Sequence, residues 1–302
     1  MLYTLDNRTN LILPGEYTKD VSVNELGNEA YLKTPYVSMV VNRIANTSAY
    51  LKLQNEEEIP EFYDTETRFK IAVNLLVFGE AIILPMKLGF DTVRKLEVLS
   101  RPEIVIEYDE TSAFKTITKY RYHTRTYLPE EILHIKYPNS VSMYPSGLSP
   151  LNSAKSVYKA ANAIIDYERY TYENRGIAGV ISGVGENVLT PKMENNIQEQ
   201  FNKDTAGVQN ASRIKVVQGE VKYTPFNFKP SEMISIDSAI HKLRTICGLF
   251  NIDSSLFNDP TNKTYNSVEE ASKAFYNNAV LPLCNLINIQ VTKFLNENGS
   301  NL

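Results

Sequence analysis

The stretch that most constrains the fold is Gly147–Gly176, which is predicted to form one long helix. Ser149 is a good N-cap, and Pro150 suits the first helical position, where its missing N–H has no partner anyway. Gly176 can adopt the left-handed conformation that ends a helix. The span of about 26 residues, or ~39 Å, is roughly twice an ordinary helix. Its small or apolar residues are three or four positions apart: Leu151, Ala154, Tyr158, Ala161 and Ile165. Such a helix spans two bodies of a protein or lines an assembly.

A second long helix is predicted from near Ser231 to Phe250, and its apolar residues follow a heptad rhythm, typical of a helix that packs along another helix. They are Met233, Ile236, Ile240, Leu243, Cys247 and Phe250. The insert between the two long helices has a β-α-β-β pattern over about 50 residues, which is small for an independent domain. Its acidic and basic residues balance. The arrangement indicates two sides of a stalk that carries a small head.

The part of the chain before the long helices is predicted to be an α+β body, preceded by a polar arm over residues 1–33. One helix follows Thr34-Pro35 and a second ends at Gly79. Alternating apolar residues then predict a series of strands, the first closed by Pro85: Glu80–Pro85, Arg94–Leu99, Glu103–Tyr108, Thr116–Thr124 and Glu131–Tyr137.

The end of the chain is predicted to be a polar loop, Asp259–Ser267, followed by a third long helix. Ser267 as N-cap and Glu270 as its reciprocal partner match a capping box. Pro282 lies inside the helical pattern, so a kink is expected there.

Composition excludes several classes of protein. The chain has 302 residues with a formal net charge of −4, which argues against a strongly basic protein that clamps nucleic acid. No apolar run reaches the ~18 residues of a membrane span, so no membrane partner is predicted. No secretory signal is visible either, so a reducing, cytosolic compartment is the default expectation. Cys247 and Cys284 are too far apart for a CxxC motif and are predicted to be buried free thiols.

The sequence offers no constellation of residues for catalysis. The phosphate-binding motifs GxxxxGK[ST] and GxGxxG are absent, as is GxSxG. His123, His134 and His241 lie in three different elements without the clustering that a metal site needs. We therefore predict no catalytic residue, no cofactor and no metal.

Several segments, taken in order, resemble the portal proteins of tailed bacteriophages and prophages. No single motif is diagnostic, but their joint order and spacing over about residues 34–296 is fairly specific. The segments are TPYVSMVVNRIA, LLVFGEAIILP, LEVLSRPEIVIEY, EEILHIKYPN, GLSPLNSA, ENRGIAGVI and HKLRTICGLFNIDSSLF.

The resemblance implies a portal-like α+β fold, divided as follows. An N-terminal arm (1–33) precedes an α+β wing (34–146), then a stem of two helices (147–175 and 227–257) with a β-α-β-β clip (176–226) inserted between them. A tunnel loop (258–267) and a kinked wing helix (268–302) complete the chain, and the helical crown of the family is expected to be absent.

The resemblance also implies a function. In this family a closed ring of identical subunits, usually twelve, lies at one capsid vertex of the virion, after assembly in the cytoplasm of the bacterial host. Double-stranded DNA passes through the ring without sequence specificity during packaging and ejection. The implied partners are the large terminase subunit, a head–tail adaptor and the major capsid or scaffold protein, and the subunit is not an enzyme.

The resemblance implies two functional surfaces. The tunnel loop that would face DNA contains Asn262, Lys263, Thr264, Tyr265 and Asn266. The clip surface that would dock the motor or adaptor contains Lys192, Lys203, Arg213 and Lys215. Two alternatives stay open at this point: a non-catalytic binding module that presents the β-α-β-β head on a helical stalk, and an enzyme that uses His134 or a carboxylate pair.

Overall fold

The fold contains helices and strands in a computed structural model. The structure describes residues 21–51, 61–87, 93–109, 111, 115–173, 179–183, 195, 199, 221–225, 236–257, 259 and 265–297. The helices are α1 (Val21–Lys33), α2 (Pro35–Tyr50), α3 (Thr65–Phe78), α4 (Lys155–Glu173), α5 (Ile236–Leu249), α6 (Tyr265–Phe275) and α7 (Leu281–Glu297). The strands are β1 (Glu80–Lys87), β2 (Val93–Val98), β3 (Ile104–Tyr108), β4 (Ile117–Tyr122), β5 (Arg125–Tyr127), β6 (Leu133–Lys136), β7 (Gly179–Gly183) and β8 (Val221–Pro225).

The predicted start of α2 and the predicted end of α3 are confirmed. Pro35 opens α2. The Asp64 side chain caps α3 by accepting a hydrogen bond from the backbone N–H of Thr67, at 2.7 Å. Gly79 ends α3 in the left-handed conformation, with φ of 82°. The apolar residues of α2 recur at helical spacing and are buried: Val37, Val40, Val41, Ile44 and Ala45.

The predicted N-terminal arm is wrong in its second half, because residues 21–33 form helix α1. Ala30 of this helix is fully buried in the main core. Gly27 lies so close to the Phe78 ring that a β-carbon there would approach it to 2.8 Å. The low hydrophobicity of the segment conceals the helix, because only a few small residues make its contacts. Residues 1–20 lie outside the described part of the chain.

The six strands of the body form two antiparallel three-stranded sheets, with strand orders β2-β1-β6 and β3-β4-β5. The register of β1 places Ala81 opposite Ile135 and Ile83 opposite Val98. A large core lies between the helices and the first sheet. A second, smaller core joins Ile82 to residues of the second sheet, including Ile104, Ile106 and Tyr120.

The predicted end of β1 at Pro85 is wrong, because the strand continues to Lys87. Strand β6 pairs with β1 only as far as Ile83, and beyond that point β1 pairs with β2 alone, Pro85 facing Leu96. A proline is tolerated in such a stretch because one side of the strand has no neighbour to receive a hydrogen bond.

The long helix begins as predicted at Pro150, with a 3₁₀ segment, Pro150–Ala154, that leads into α4. The Ser149 side chain caps it by accepting a hydrogen bond from the N–H of Leu151, at 3.1 Å. The predicted seam is confirmed along its first part, where Leu151, Ala154, Tyr158 and Ala161 are buried. The predicted end at Gly176 lies outside the described residues.

The chain divides into two compact units, residues 1–158 with 243–302, and residues 159–242. The second unit contains strands β7 and β8, which pair antiparallel with Ile181 opposite Tyr223. These two strands agree with two of the strands predicted for the insert. Its predicted helix and remaining strand lie almost wholly outside the described residues.

Helix α5 buries the end of its predicted heptad seam, at Leu243, Cys247 and Phe250, together with Ile246. Cys247 and Cys284 are both free and buried, as predicted.

The last helical segment is α6, a π-helical turn (Tyr276–Val280) and α7. The predicted start at Ser267 is wrong by two residues, since α6 begins at Tyr265 and Ser267 lies inside it. Thr264, Asn266 and Ser267 are all residue types that cap helices, so the pattern alone does not choose between them. The interruption of the α-helix falls just before Pro282, where the sequence predicts a kink.

Candidate functional site

The residues predicted for the two functional surfaces are not brought together by the described structure. Asn262, Lys263 and Thr264 of the predicted tunnel loop lie outside the described residues, while Tyr265 and Asn266 begin helix α6. The predicted clip residues also lie outside the described part of the chain: Lys192, Lys203, Arg213 and Lys215. Both surfaces stay predictions.

The entry to the predicted tunnel loop is fixed by an ion pair that the sequence does not reveal. Both Asp259 oxygens accept hydrogen bonds from Arg244 on α5, Oδ2 from Nε at 2.6 Å and Oδ1 from Nη2 at 3.0 Å. The Ser254 hydroxyl donates a third, to Oδ2 at 2.8 Å. The Asp259 side chain is 0% exposed. A two-point arginine–carboxylate contact fixes orientation as well as distance, so Asp259 anchors the backbone at the start of the loop.

The turn between α5 and Asp259 is shaped by two further residues. Asn251 takes the left-handed conformation, with φ of 56°. The N–H of Ile252 then reaches back to the Cys247 carbonyl, at 3.0 Å. This pattern closes the C-terminus of a helix and reverses the chain. It carries the chain into a short 3₁₀ segment, Ser254–Phe257, from which Ser254 reaches Asp259.

Both sides of the predicted loop also contact Arg43 of α2. Its guanidinium lies 5.5 Å from the centre of the Phe257 ring and 5.7 Å from that of Phe275. A guanidinium within about 6 Å of an aromatic ring is attracted by the ring's electron density. The segments before and after the loop are therefore held by the same side chain.

A buried polar network lies at the junction between α3 and β1, centred on Glu80. The Glu80 Oε1 accepts a hydrogen bond from Arg101 Nε, at 2.5 Å, and both side chains are almost fully buried. The Glu80 Oε2 lies 3.0 Å from His134 Nε2 and 3.0 Å from the backbone nitrogen of Gly147. Four separate parts of the chain thus meet at one carboxylate.

The hydrogen bonds of His134 define its tautomer. An ionised Glu80 can only accept, so Nε2 of His134 carries the proton and donates it. Nδ1 is then an acceptor, and the Tyr120 hydroxyl donates to it at 2.8 Å. With both nitrogens engaged and a side chain 6% exposed, His134 has no free ring nitrogen for a substrate. The interpretation of His134 as a catalytic residue therefore has no support in the geometry.

The charge states follow from these contacts. Burial alone would raise the pKa of Glu80, but the Arg101 guanidinium and the hydrogen bonds from His134 and Gly147 lower it to about 2. Burial lowers the pKa of His134, against the opposing effect of Glu80. Burial and the Glu80 carboxylate raise the pKa of Tyr120. At neutral pH the network is an ion pair between Glu80 and Arg101, completed by a neutral His134 and a neutral Tyr120.

Two glycines allow the chain to cross itself beside this network. A β-carbon on Gly147 would lie 1.9 Å from the Gly79 carbonyl oxygen, and one on Gly79 would lie 2.3 Å from the Ser149 nitrogen. The Ser149 hydroxyl donates to the Leu76 carbonyl, at 2.7 Å, at the end of α3. The GLSPL segment therefore lies directly against the α3–β1 junction.

The Glu80 network gives a physical meaning to four of the loose sequence motifs. LLVFGEAIILP supplies Gly79 and Glu80, LEVLSRPEIVIEY supplies Arg101, EEILHIKYPN supplies His134, and GLSPLNSA supplies Gly147. Each motif contributes one part of a single buried site. Its contacts hold elements of the fold together, so its role is structural.

No metal site is visible among the residues that the structure describes, since no three His, Cys, Asp or Glu side chains there are grouped to hold an ion. Within the same part of the chain, no helix is both long and apolar enough to cross a membrane.

Comparison with known families matches residues 36–301 to the family described as "Phage portal protein". Among solved structures, the chain is similar to one in the virion of a native gene transfer agent (GTA) particle, with a TM-score of 0.65 and 22% identity. That match covers 93% of this chain and 82% of the other.

Two further solved structures are similar in fold. One is in the neck of a native GTA particle computed with C12 symmetry, with a TM-score of 0.63 and 22% identity over 91% of this chain and 80% of the other. The other is an HK97-family phage portal protein from Corynebacterium diphtheriae, with a TM-score of 0.64 and 13% identity over 87% of this chain and 89% of the other. The family resemblance and the portal-like α+β fold predicted from the sequence are thereby confirmed.

Proposed function

The chain belongs to the phage portal protein family, and we propose that it is the structural subunit of a ring that forms the DNA conduit at one vertex of a capsid. The observation that carries the proposal is the family match, which extends over residues 36–301. The subunit acts in genome packaging and ejection by shape and assembly, without catalysis.

The ring is proposed to be closed and to contain twelve copies of the chain. The similarity to a neck structure computed with C12 symmetry supports this number. Large apolar side chains on the surface also support self-association, because a monomer leaves them in water. Val141 and Met143 are 68% and 75% exposed in the loop after β6, and Ile289 is 68% exposed on α7.

The DNA is proposed to slide through the ring without being held. Each phosphate that a protein neutralises adds affinity, and many such contacts would resist translocation. A chain with a formal net charge of −4 suits a conduit better than a clamp. The tunnel-loop residues Asn262 to Asn266, with Lys263 as the cation, are proposed to face the DNA.

The other partners are proposed from the family. The clip, with Lys192, Lys203, Arg213 and Lys215, is assigned to docking of the large terminase subunit and later the head–tail adaptor. The division of the chain near residues 158 and 242 supports a separate clip-bearing unit. Contact with the major capsid or scaffold protein, assembly in the bacterial cytoplasm and final location in the virion complete the proposal.

The test is the oligomeric state of the full chain. Native mass spectrometry across a range of protein concentrations should show one large closed species, and negative-stain images of that species should show rings with an axial hole. Particles that stay monomeric at every concentration would contradict the proposal and favour a binding module on a helical stalk.

A further inference from the structure

A small cavity lies where α2, α3 and α7 meet. Its volume is ≈10 Å³, which is about the room needed by one water-sized particle. Ser48 of α2, Arg68 of α3 and Asn288 of α7 contribute polar groups to its wall. The cavity is therefore polar as well as small.

Two of the polar atoms that line this cavity have no hydrogen-bond partner among the described residues. They are Arg68 Nε and the Ser48 hydroxyl oxygen, and both are buried. Arg68 as a residue is only 8% exposed. Its Nη1 donates to the Leu51 carbonyl at 3.1 Å, and its guanidinium lies 5.8 Å from the centre of the Tyr63 ring. Nothing in the described part of the chain accepts a hydrogen bond from its Nε–H.

Within the part of the chain that the structure describes, Arg68 also lacks a counter-charge: no carboxylate there forms an ion pair with it, in contrast to Arg101 and Arg244. A buried guanidinium is always charged and is costly to hold without a compensating anion. A buried donor without an acceptor adds a further cost.

We propose that this cavity binds one monatomic monovalent anion of the size of chloride, held by Arg68 Nε–H and the Ser48 hydroxyl. Such an ion accepts hydrogen bonds from both groups and neutralises the guanidinium. Its small volume favours a monatomic ion over phosphate, sulfate or a carboxylate ligand. Because Ser48 lies on α2 and Arg68 on α3, the bound ion links these two helices. The inference does not rest on the proposed ring or conduit.

Binding should appear as chloride-dependent stability of the full chain. A ligand that binds only the folded state raises the folding equilibrium constant by a factor of one plus its concentration divided by its dissociation constant. At ten times the dissociation constant the increase is about elevenfold. The measurement is thermal unfolding in sodium chloride against sodium gluconate at equal ionic strength, since gluconate cannot enter the cavity.

We expect a higher midpoint temperature in chloride, with a response that saturates. Arg68→Gln should abolish the difference, and Ser48→Ala should shift the half-maximal response to higher chloride. Arg121→Gln, on the surface of β4, is the matched control and should keep the wild-type response. Equal midpoints of the wild type in the two salts would overturn the proposal, as would an Arg68→Gln response equal to that of the wild type.

A crystal of the wild-type chain grown with sodium bromide gives an independent test that needs no variant. An anomalous bromide peak within hydrogen-bonding distance of Arg68 Nε supports the assignment. A cavity filled by a water molecule, or by a Glu56, Glu57 or Glu58 side chain with no bromide peak, refutes it.

Discussion

The backbone N–H of Gly147 donates to the Oε2 of Glu80 at 3.0 Å, although the two residues are 67 positions apart in the chain. This bond joins the segment that opens the long helix to the first residue of β1. The same oxygen also accepts from His134, so one carboxylate fixes the relative positions of α3, β1, β6 and the start of the long helix.

Glu80→Gln should destabilise the fold by about 3–5 kcal/mol, because it leaves Arg101 as a buried charge without a counter-ion. Chemical denaturation followed by circular dichroism measures the change. Glu97→Gln is the matched control, since Glu97 pairs with Lys95 at the surface, and it should change the unfolding free energy little. Equal stability of the two variants would show that the Glu80 network contributes nothing beyond a surface pair.

Acidification should destabilise the chain in two steps. The pKa of His134 is below its ordinary value of 6.5 in the folded state, so the unfolded chain binds the extra proton and stability falls as the pH drops below about 6.5. The pKa of Glu80 is about 2 against an ordinary value of 4.5, so its contribution is complete above pH 4.5 and is lost as the pH falls through 2. Unfolding free energies measured from pH 8 to pH 3 test both steps.

The variant His134→Gln separates the two steps, because glutamine can still donate a hydrogen bond to Glu80 but does not titrate. The loss of stability between pH 7 and pH 5 should shrink in this variant, and the loss below pH 4.5 should persist. If the loss of stability between pH 7 and pH 5 were unchanged in this variant, a group other than His134 would be responsible for it.

Gly147→Ala should be destabilising by several kcal/mol, since the new β-carbon would lie 1.9 Å from the Gly79 carbonyl oxygen and only a backbone shift can relieve that contact. Gly248→Ala in α5 is the opposite case. A β-carbon there meets no atom within 4 Å, and alanine favours a helix over glycine by roughly 0.5–1 kcal/mol. The two alanine variants should therefore move the melting temperature in opposite directions, and a shift in the same direction would contradict the described packing.

Asp259→Asn should weaken the anchor at the start of the predicted tunnel loop and cost about 2 kcal/mol of stability. The amide has one acceptor oxygen, and its NH2 group would face an Arg244 donor, so the two charge-assisted bonds cannot both form. Arg244→Lys keeps the charge but loses the two-point contact, so an intermediate loss is expected. Asp166→Asn, which removes an exposed pair with Arg169, serves as the control and should have little effect. Denaturant titration ranks the three variants, and any other order would argue against the anchor.

The double variant Lys263→Ala with Tyr265→Ala should fold normally and assemble, yet reduce the amount of DNA packaged in an in vitro packaging assay. The proposed reason is loss of the loop's cation and aromatic ring from the path of the DNA. Lys273→Ala, an exposed position on α6 paired with Glu269, should package as the wild type does. Full packaging by the double variant would remove this loop from the proposed mechanism.

The sequence predicts those parts of the fold that depend on residues close to one another in the chain. The end of α3 and the start of the long helix follow from Gly79 and from Ser149 with Pro150, and the inner face of α2 follows from its periodicity. The last part of the heptad seam, Leu243, Cys247 and Phe250, is buried as its spacing predicts. Helix α1 escapes prediction because its burial depends on partners in α2 and α3.

The long-range contacts could not be predicted from the sequence. Glu80, Arg101 and His134 are separated by 21 and 33 positions, so only the sheet register brings them together. The burial of Asp259 could not be predicted either, since this residue begins a polar loop and its partner, Arg244, lies fifteen residues earlier. A charged residue in a polar stretch is predicted to be exposed, and only the tertiary structure shows that it has a partner.

The π-helical turn at Tyr276–Val280 has a consequence for the length of the last helical segment. Phe275 and Val280 are both buried, five positions apart, a spacing that an uninterrupted α-helix at 3.6 residues per turn would place on different sides. The N–H of Leu281 bonds to the Tyr276 carbonyl, five residues back, and this wider turn brings the two side chains to one face. The turn thus holds one residue more than the packing needs, and a single deletion within it would leave the contacts of α6 and α7 in phase.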